Sequence, residues 1–190
     1  MTFNTGQQQT RKRRQAGVGL LEVLLTVLVI AVGLLGVVSL QTQSITLTHA
    51  SHMRSTAAYK ALEMADRIRA NQVGFAAGEY DSVDTSTILA SATVPATCRD
   101  TRVGATITSA TACTPQQLAQ RDAYEWALSL DATQQAGLLP SGEGTVVVAS
   151  DVATIRVYYD EARTGATGRG GCGANPASTD MTCVQLVVRP

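Results

Sequence analysis

Histidine is almost missing from this 190-residue chain: His49 and His52 are the only two. Three apart, they share one helix face. No carboxylate or cysteine lies near them in sequence, so they read as exposed polar residues and not as metal ligands. There is no Gly-x-Ser-x-Gly elbow, and no glycine-rich loop stands between a strand and a helix. Ser141-Gly142-Glu143-Gly144 reads as a turn without a nucleophile. With no catalytic constellation, the chain is expected to be non-enzymatic and to need no cofactor. Charge is balanced at 15 basic and 15 acidic residues, and no basic patch points to nucleic acid. Cysteine is sparse and never forms a Cys-x2-Cys pair, which weighs against zinc. Proline is missing before Pro95, so nothing interrupts a helix in the first half of the chain.

The most informative gap is in charge. From Val18 to Leu40 there are 23 residues, and Glu22 is the only charged one. At about 1.5 Å per residue this run covers roughly 35 Å as a helix, enough to span a hydrocarbon core of about 30 Å. The basic residues Arg11, Lys12, Arg13 and Arg14 precede the run, and none follows until Arg54. That asymmetry places the N-terminus in the cytoplasm and the rest of the chain across the membrane. A carboxylate costs about 2.5–3.5 kcal/mol at mid-membrane and less near the interface. A plain single-pass anchor or a secretory signal cut near Ala31-Val32-Gly33 leaves Glu22 unexplained.

The stretch Gly17-Val18-Gly19-Leu20-Leu21-Glu22 resembles the class III signal of type IV prepilins. The resemblance implies a leader, Met1–Gly17, that a prepilin peptidase removes between Gly17 and Val18. It implies N-methylation of the new terminal Val18, and Glu22 as the fifth mature residue. In a filament core Glu22 needs a cation, and the α-amino group of Val18 on a neighbouring subunit would supply it. Two further stretches, Val32–Gln41 and Ala61-Leu62-Glu63-Met64-Ala65-Asp66-Arg67-Ile68-Arg69-Ala70-Asn71, resemble the PilV minor pilins, or type IV pilus modification proteins. Weaker likenesses lie at Glu125-Trp126, Leu139–Gly144 and Ile155–Asp160.

That resemblance implies a minor pilin in a complex that primes pilus assembly and supports twitching motility and adhesion. Its partners would be other minor pilins, the major pilin, the prepilin peptidase, the inner membrane and a tip adhesin, with no nucleic acid. The chain would sit in the inner membrane before assembly, with its C-terminal domain periplasmic, and on a cell-surface pilus afterwards. The alternatives are a minor pseudopilin of type II secretion, whose signal and helix look the same, and a tip binding module working through the Gly-rich loop at Cys172–Cys183. After removal of the leader, 11 basic and 15 acidic residues give a net charge of −4.

The helix continues past Leu40. Met53, Ala57, Ala61, Met64, Ala65 and Ile68 recur at three- or four-residue spacing, predicting one helix from about Gly19 to Asn71, roughly 80 Å long. Residues 18–40 form its membrane or filament-core half and 41–72 its amphipathic half; 73–190 form the globular domain. The Thr/Ser-rich Thr42–Thr48 is a weaker helix former, open to bending or melting. Gly33 and Gly36 are either close-contact sites or simply lipid-facing.

Gly74–Thr97 reads as loop with a short strand. Thr114-Pro115-Gln116-Gln117 starts a helix running to about Leu130, with Trp126 as a core anchor. Thr145–Ala149 and Ala153–Tyr159 read as paired strands and Val184–Val188 as a last strand. The result is an α+β, pilin-like fold: a long N-terminal helix and a small antiparallel sheet. Cys98, Cys113, Cys172 and Cys183 all lie on the translocated side, where disulfides persist. Four cysteines allow three connectivities. The sequence-local pairing Cys98–Cys113 and Cys172–Cys183 is preferred, each bond contributing about 3 kcal/mol on the chain-entropy view.

Overall fold

The computed structural model describes residues 18–91, 93–98, 101–108, 112–134, 137–173 and 175–190. A long helix α1, Val18–Ala70, opens the chain. The chain divides into two compact units, the first ending at Leu47 and the second comprising Thr48–Pro190. In the second unit α1 is followed by α2 (Gln72–Ala76), β1 (Ser82–Asp84), α3 (Thr85–Ala90), β2 (Thr101–Val103), β3 (Thr106–Thr108), α4 (Pro115–Leu130), β4 (Glu143–Ala149), β5 (Val152–Tyr159) and β6 (Thr182–Val188). The main sheet has the order β1-β4-β5-β6, antiparallel throughout; β2 and β3 form a separate hairpin. This is the pilin-like α+β arrangement of a long N-terminal helix and a four-stranded antiparallel sheet.

The core is made by three amphipathic surfaces meeting. Met53, Ala57, Ala61, Met64, Ala65 and Ile68 of α1 are all buried. They face Ala119, Ala123, Trp126 and Leu130 of α4 and the inner sheet residues Val146, Ile155, Val157 and Tyr159. The sheet register explains that face. Val146 pairs with Ile155 and Ile155 with Leu186, while Gly144 pairs with Val157 and Val157 with Val184. Period-two alternation therefore brings apolar residues inward in rows. Trp126 is fully buried, and its Nε1–H donates to the Lys60 carbonyl of α1 at 2.9 Å. Gly144 makes room for it, because a Cβ there would overlap the indole ring.

Local chemistry fixes the start of α4. Thr114 accepts from Gln117 N–H, Gln117 Oε1 accepts from Thr114 N–H, and Pro115 opens the helix, a reciprocal capping box. The segment 74–97 differs from its reading as loop with one strand. It contains the end of α2, the short strand β1 and α3, because Asn71 and Asp84 act as helix caps, accepting from Gly74 N–H and Ser86 N–H. Such helices of five or six residues carry too little periodicity to be seen in sequence.

The outer sheet face is partly covered by the loop between β5 and β6. Asp160 accepts from Gly165 N–H at 2.7 Å and Ala166 N–H at 3.3 Å, which turns the chain back. Tyr158, Ala166, Met181 and Cys183 form a small second apolar cluster. Arg169 clips the loop down. Its guanidinium donates twice to Asp84 (2.6 and 3.1 Å), once to Ser86 Oγ (3.0 Å) and once to Glu143 (2.7 Å), and it lies 5.9 Å from the Tyr158 ring centroid. Cys172 is bonded to Cys183, and Cys98 to Cys113, with Cα separations of 5.1 and 5.5 Å.

Asp84 is held below the usual carboxylate range, chiefly by Arg169, against an opposing effect of burial. At Asp160 burial pushes the carboxyl up, but the backbone N–H groups of Gly165, Thr164 and Ala166 outweigh it and hold the group low. Both folded values lie under the unfolded ones, so both groups stabilise the fold above about pH 4 and lose that contribution as pH falls through their folded values. In thermal melting followed from pH 7 to pH 2, the contribution of these two groups is expected to be lost below about pH 4. Asp84→Asn should remove part of that loss.

A two-residue turn, Ser150-Asp151, joins β4 to β5 with φ of 52° and 60°. That is the left-handed geometry which Asn-Gly fits best. Ser150→Asn with Asp151→Gly should raise stability by about 1 kcal/mol, read as a higher denaturant midpoint at unchanged slope.

Candidate functional site

In the first unit, all described side chains of α1 up to Leu47 are exposed. Leu20, Leu24, Leu35 and Leu40 are between 60% and 80% exposed. A Cβ built on Gly19, Gly33 or Gly36 would meet nothing within 4 Å. The helix is the one element among the described residues long and apolar enough to cross a membrane. So large an uncovered apolar surface requires a cover, either lipid or other helices. Glu22 lies on this surface, exposed, and no hydrogen bond or ion pair among the described residues reaches its carboxylate. Gly17 lies outside the described residues, and of Val18 only the backbone, the first residue of α1, is described. Thr26, Thr42 and Thr46 turn their hydroxyls back onto carbonyls three or four residues earlier in the helix, which satisfies them without a partner chain. His49 and His52 are exposed on α1. No group of three or more metal-binding side chains occurs among the described residues.

In the second unit the stretch Glu63–Asn71 does two jobs. Met64, Ala65 and Ile68 enter the core, while the polar residues between them build a clamp. Arg67 donates to Asp122 at 3.1 Å and Glu125 at 3.2 Å on α4, and to Glu63 at 3.0 Å on α1. The other oxygen of Asp122 accepts from Tyr80 Oη at 2.8 Å. Asn71 donates to Tyr80 Oη at 3.1 Å and to the Pro115 carbonyl at 2.8 Å. Its side-chain Oδ1 accepts from Gly74 N–H. One guanidinium and one amide thus tie α1, the turn after α2 and the start of α4.

Burial pushes the Asp122 carboxyl up, more than its bonds to Tyr80 and Arg67 pull it down. Burial also raises the Tyr80 hydroxyl, which stays protonated and donates. Burial opposes the charge on Arg67, but Glu63, Glu125 and Asp122 reverse that and keep it protonated. Glu63 is held low by Lys60 and Arg67 against its own burial. Tyr80 and Asp122 were not singled out by sequence. They lie 42 residues apart, and Arg67 is 55 from Asp122, beyond any local pattern.

A long apolar N-terminal helix joined to a four-stranded antiparallel sheet is the pilin-like class of α+β fold. Residues 39–124, a little under half of the chain, match the Tt1218-like family model, described as type IV pilin Tt1218. The match spans the clamp from Glu63 to Asp122 and supports a type IV pilin. The matched family is structural and not enzymatic. No curated protein and no solved structure matches the chain.

Replacing Arg67 by Met leaves three carboxylates around a missing cation. The expected loss is about 3 kcal/mol, toward the low end for a broken buried pair because Arg67 keeps some exposure. Arg67→Lys should recover less than half of it, since one ammonium cannot reproduce the planar fork. Urea titration of the full chain in detergent measures both.

Proposed function

We propose that this chain is a minor pilin of a type IV pilus, of the PilV kind, that joins other minor pilins and the major pilin to prime filament assembly. The observation that carries the reading is the pilin family match at 39–124 on a chain whose N-terminal apolar helix, among the described residues, is exposed from Gly19 to Leu47. The leader Met1–Gly17 is cut by a prepilin peptidase, and Val18 becomes the N-methylated terminus. The protein waits in the inner membrane with its second unit in the periplasm, then passes to a surface pilus serving twitching motility and adhesion.

Glu22 supplies the register in this scheme. Once water is excluded by neighbouring helices, its carboxylate needs a cation, and the α-amino group of Val18 on the next subunit is the available one. Among the described residues nothing pairs with the exposed Glu22 carboxylate, which supports that role. A minor pseudopilin of type II secretion shares these features. Genes for other minor pilins and a tip adhesin beside this one would favour the pilus, and secretion components the other.

Mass spectrometry of the mature chain should find N-methylated Val18, and Gly17→Val should leave the leader attached. Glu22→Ala should be cleaved normally yet enter filaments at a small fraction of the wild-type level, read by immunoblot of sheared filaments. An intact Met1 on the mature chain, a cut near Gly33, or normal incorporation of Glu22→Ala would overturn the scheme.

A further inference from the structure

Between α3 and α4 lies a cleft of about 340 Å³ that the assembly scheme does not use. Its floor is apolar: Val83 of β1 and Ala119 and Ala123 of α4 are buried, and Ile88 and Pro95 form the sides. The wall at 93–95 is tethered at Pro95. Arg121 donates to the Pro95 carbonyl at 3.5 Å, and the disulfide Cys98–Cys113 closes the segment just beyond. The cleft is present in the single chain.

Two carboxylates line it, and among the described residues no basic side chain does. Asp84 is already held by Arg169 and Ser86. Glu79 is not: it is half-buried, and no hydrogen bond or ion pair among the described residues reaches its side chain. The remaining polar lining includes the hydroxyls of Ser82, Thr87 and Ser91, which can accept from an ammonium or guanidinium.

We propose that this cleft receives a lysine or arginine side chain from a second pilin. The two parts of the cleft match the two parts of such a side chain: an aliphatic stem lies along Val83, Ile88 and Ala119, and the cationic head reaches Glu79. The volume lies at the small end of ligand sites, about 300–1,000 Å³, which suits one long side chain and its immediate neighbours. The charge is complementary, since the cleft holds a carboxylate, Glu79, that no cation among the described residues reaches. The proposal rests on the reading of this chain as an assembling pilin, but not on which system it serves.

Val94, between the cleft residues Thr93 and Pro95, is 64% exposed. The test replaces it by p-benzoylphenylalanine in the full-length chain and irradiates cells. The expected result is an adduct to another pilin, mapped by mass spectrometry to within two residues of a Lys or Arg. Glu79→Lys should cut that adduct at least tenfold. Should Glu79→Lys prove unstable to protease, Glu79→Gln is read instead and should cut it several-fold. No adduct, an adduct to lipid or to a segment without a base, or an adduct indifferent to Glu79 overturns the proposal. Filament incorporation is scored in the same cells. Incorporation without an adduct refutes the cleft alone, whereas an adduct without incorporation refutes the pilus reading and leaves the cleft standing.

Discussion

Arg67 stands where α1, α4 and the turn carrying Tyr80 meet, and it holds them by charge as well as by packing. Half of the core residues on the two helices are alanine: Ala57, Ala61 and Ala65 on α1, and Ala119 and Ala123 on α4. Small side chains let two helices approach closely but bury little apolar area each. Trp126 supplies much of the missing area, and its indole N–H on the Lys60 carbonyl sets the depth of contact. The clamp adds direction. Asp122 binds Arg67 with one oxygen and Tyr80 with the other, so sliding α4 along α1 breaks charge-assisted bonds in a half-buried site. Polar side chains thus specify one register for a core that alanine alone would leave slippery.

Arg169 repeats the device on the opposite side of the sheet. Its bonds to Asp84 and Glu143 connect the loop before β6 to β1 and β4. Asp84 also caps α3, so one carboxylate ends a strand, starts a helix and anchors a loop. The short edge strand β1 is held in this way although three residues of pairing would be marginal alone.

What could be read in advance follows the length of each signal. The α1 core face, Met53 to Ile68, was visible because six residues repeat over four turns. α4 was visible because Thr114, Pro115 and Gln117 spell a helix start, and β4, β5 and β6 because Val, Ile and Tyr cluster between turns. The helices α2 and α3 were hidden. Each is a single cap followed by one turn, and the caps Asn71 and Asp84 have other possible uses in sequence. The Met64–Asn71 stretch stood out as a family likeness, yet its physical purpose did not: Arg67 and Asn71 are explained only by Asp122, Tyr80 and Pro115, which lie far along the chain. The cleft at Glu79 was equally hidden, since an unpaired carboxylate is recognised only when its surroundings are known.

The two disulfides have a mechanical meaning. They join cysteines 15 and 11 residues apart, so both are local staples, and neither links α1 to the sheet. A pull along α1 is therefore resisted at that interface by packing, the Trp126 bond and the Arg67 clamp, with no covalent crosslink in series. Should those contacts fail, the staples withhold only the chain inside their own loops, roughly 90 Å of extended contour. The domain is built to resist fraying of its loops by covalent means and separation of its helix by noncovalent means, and under tension the second would give way first.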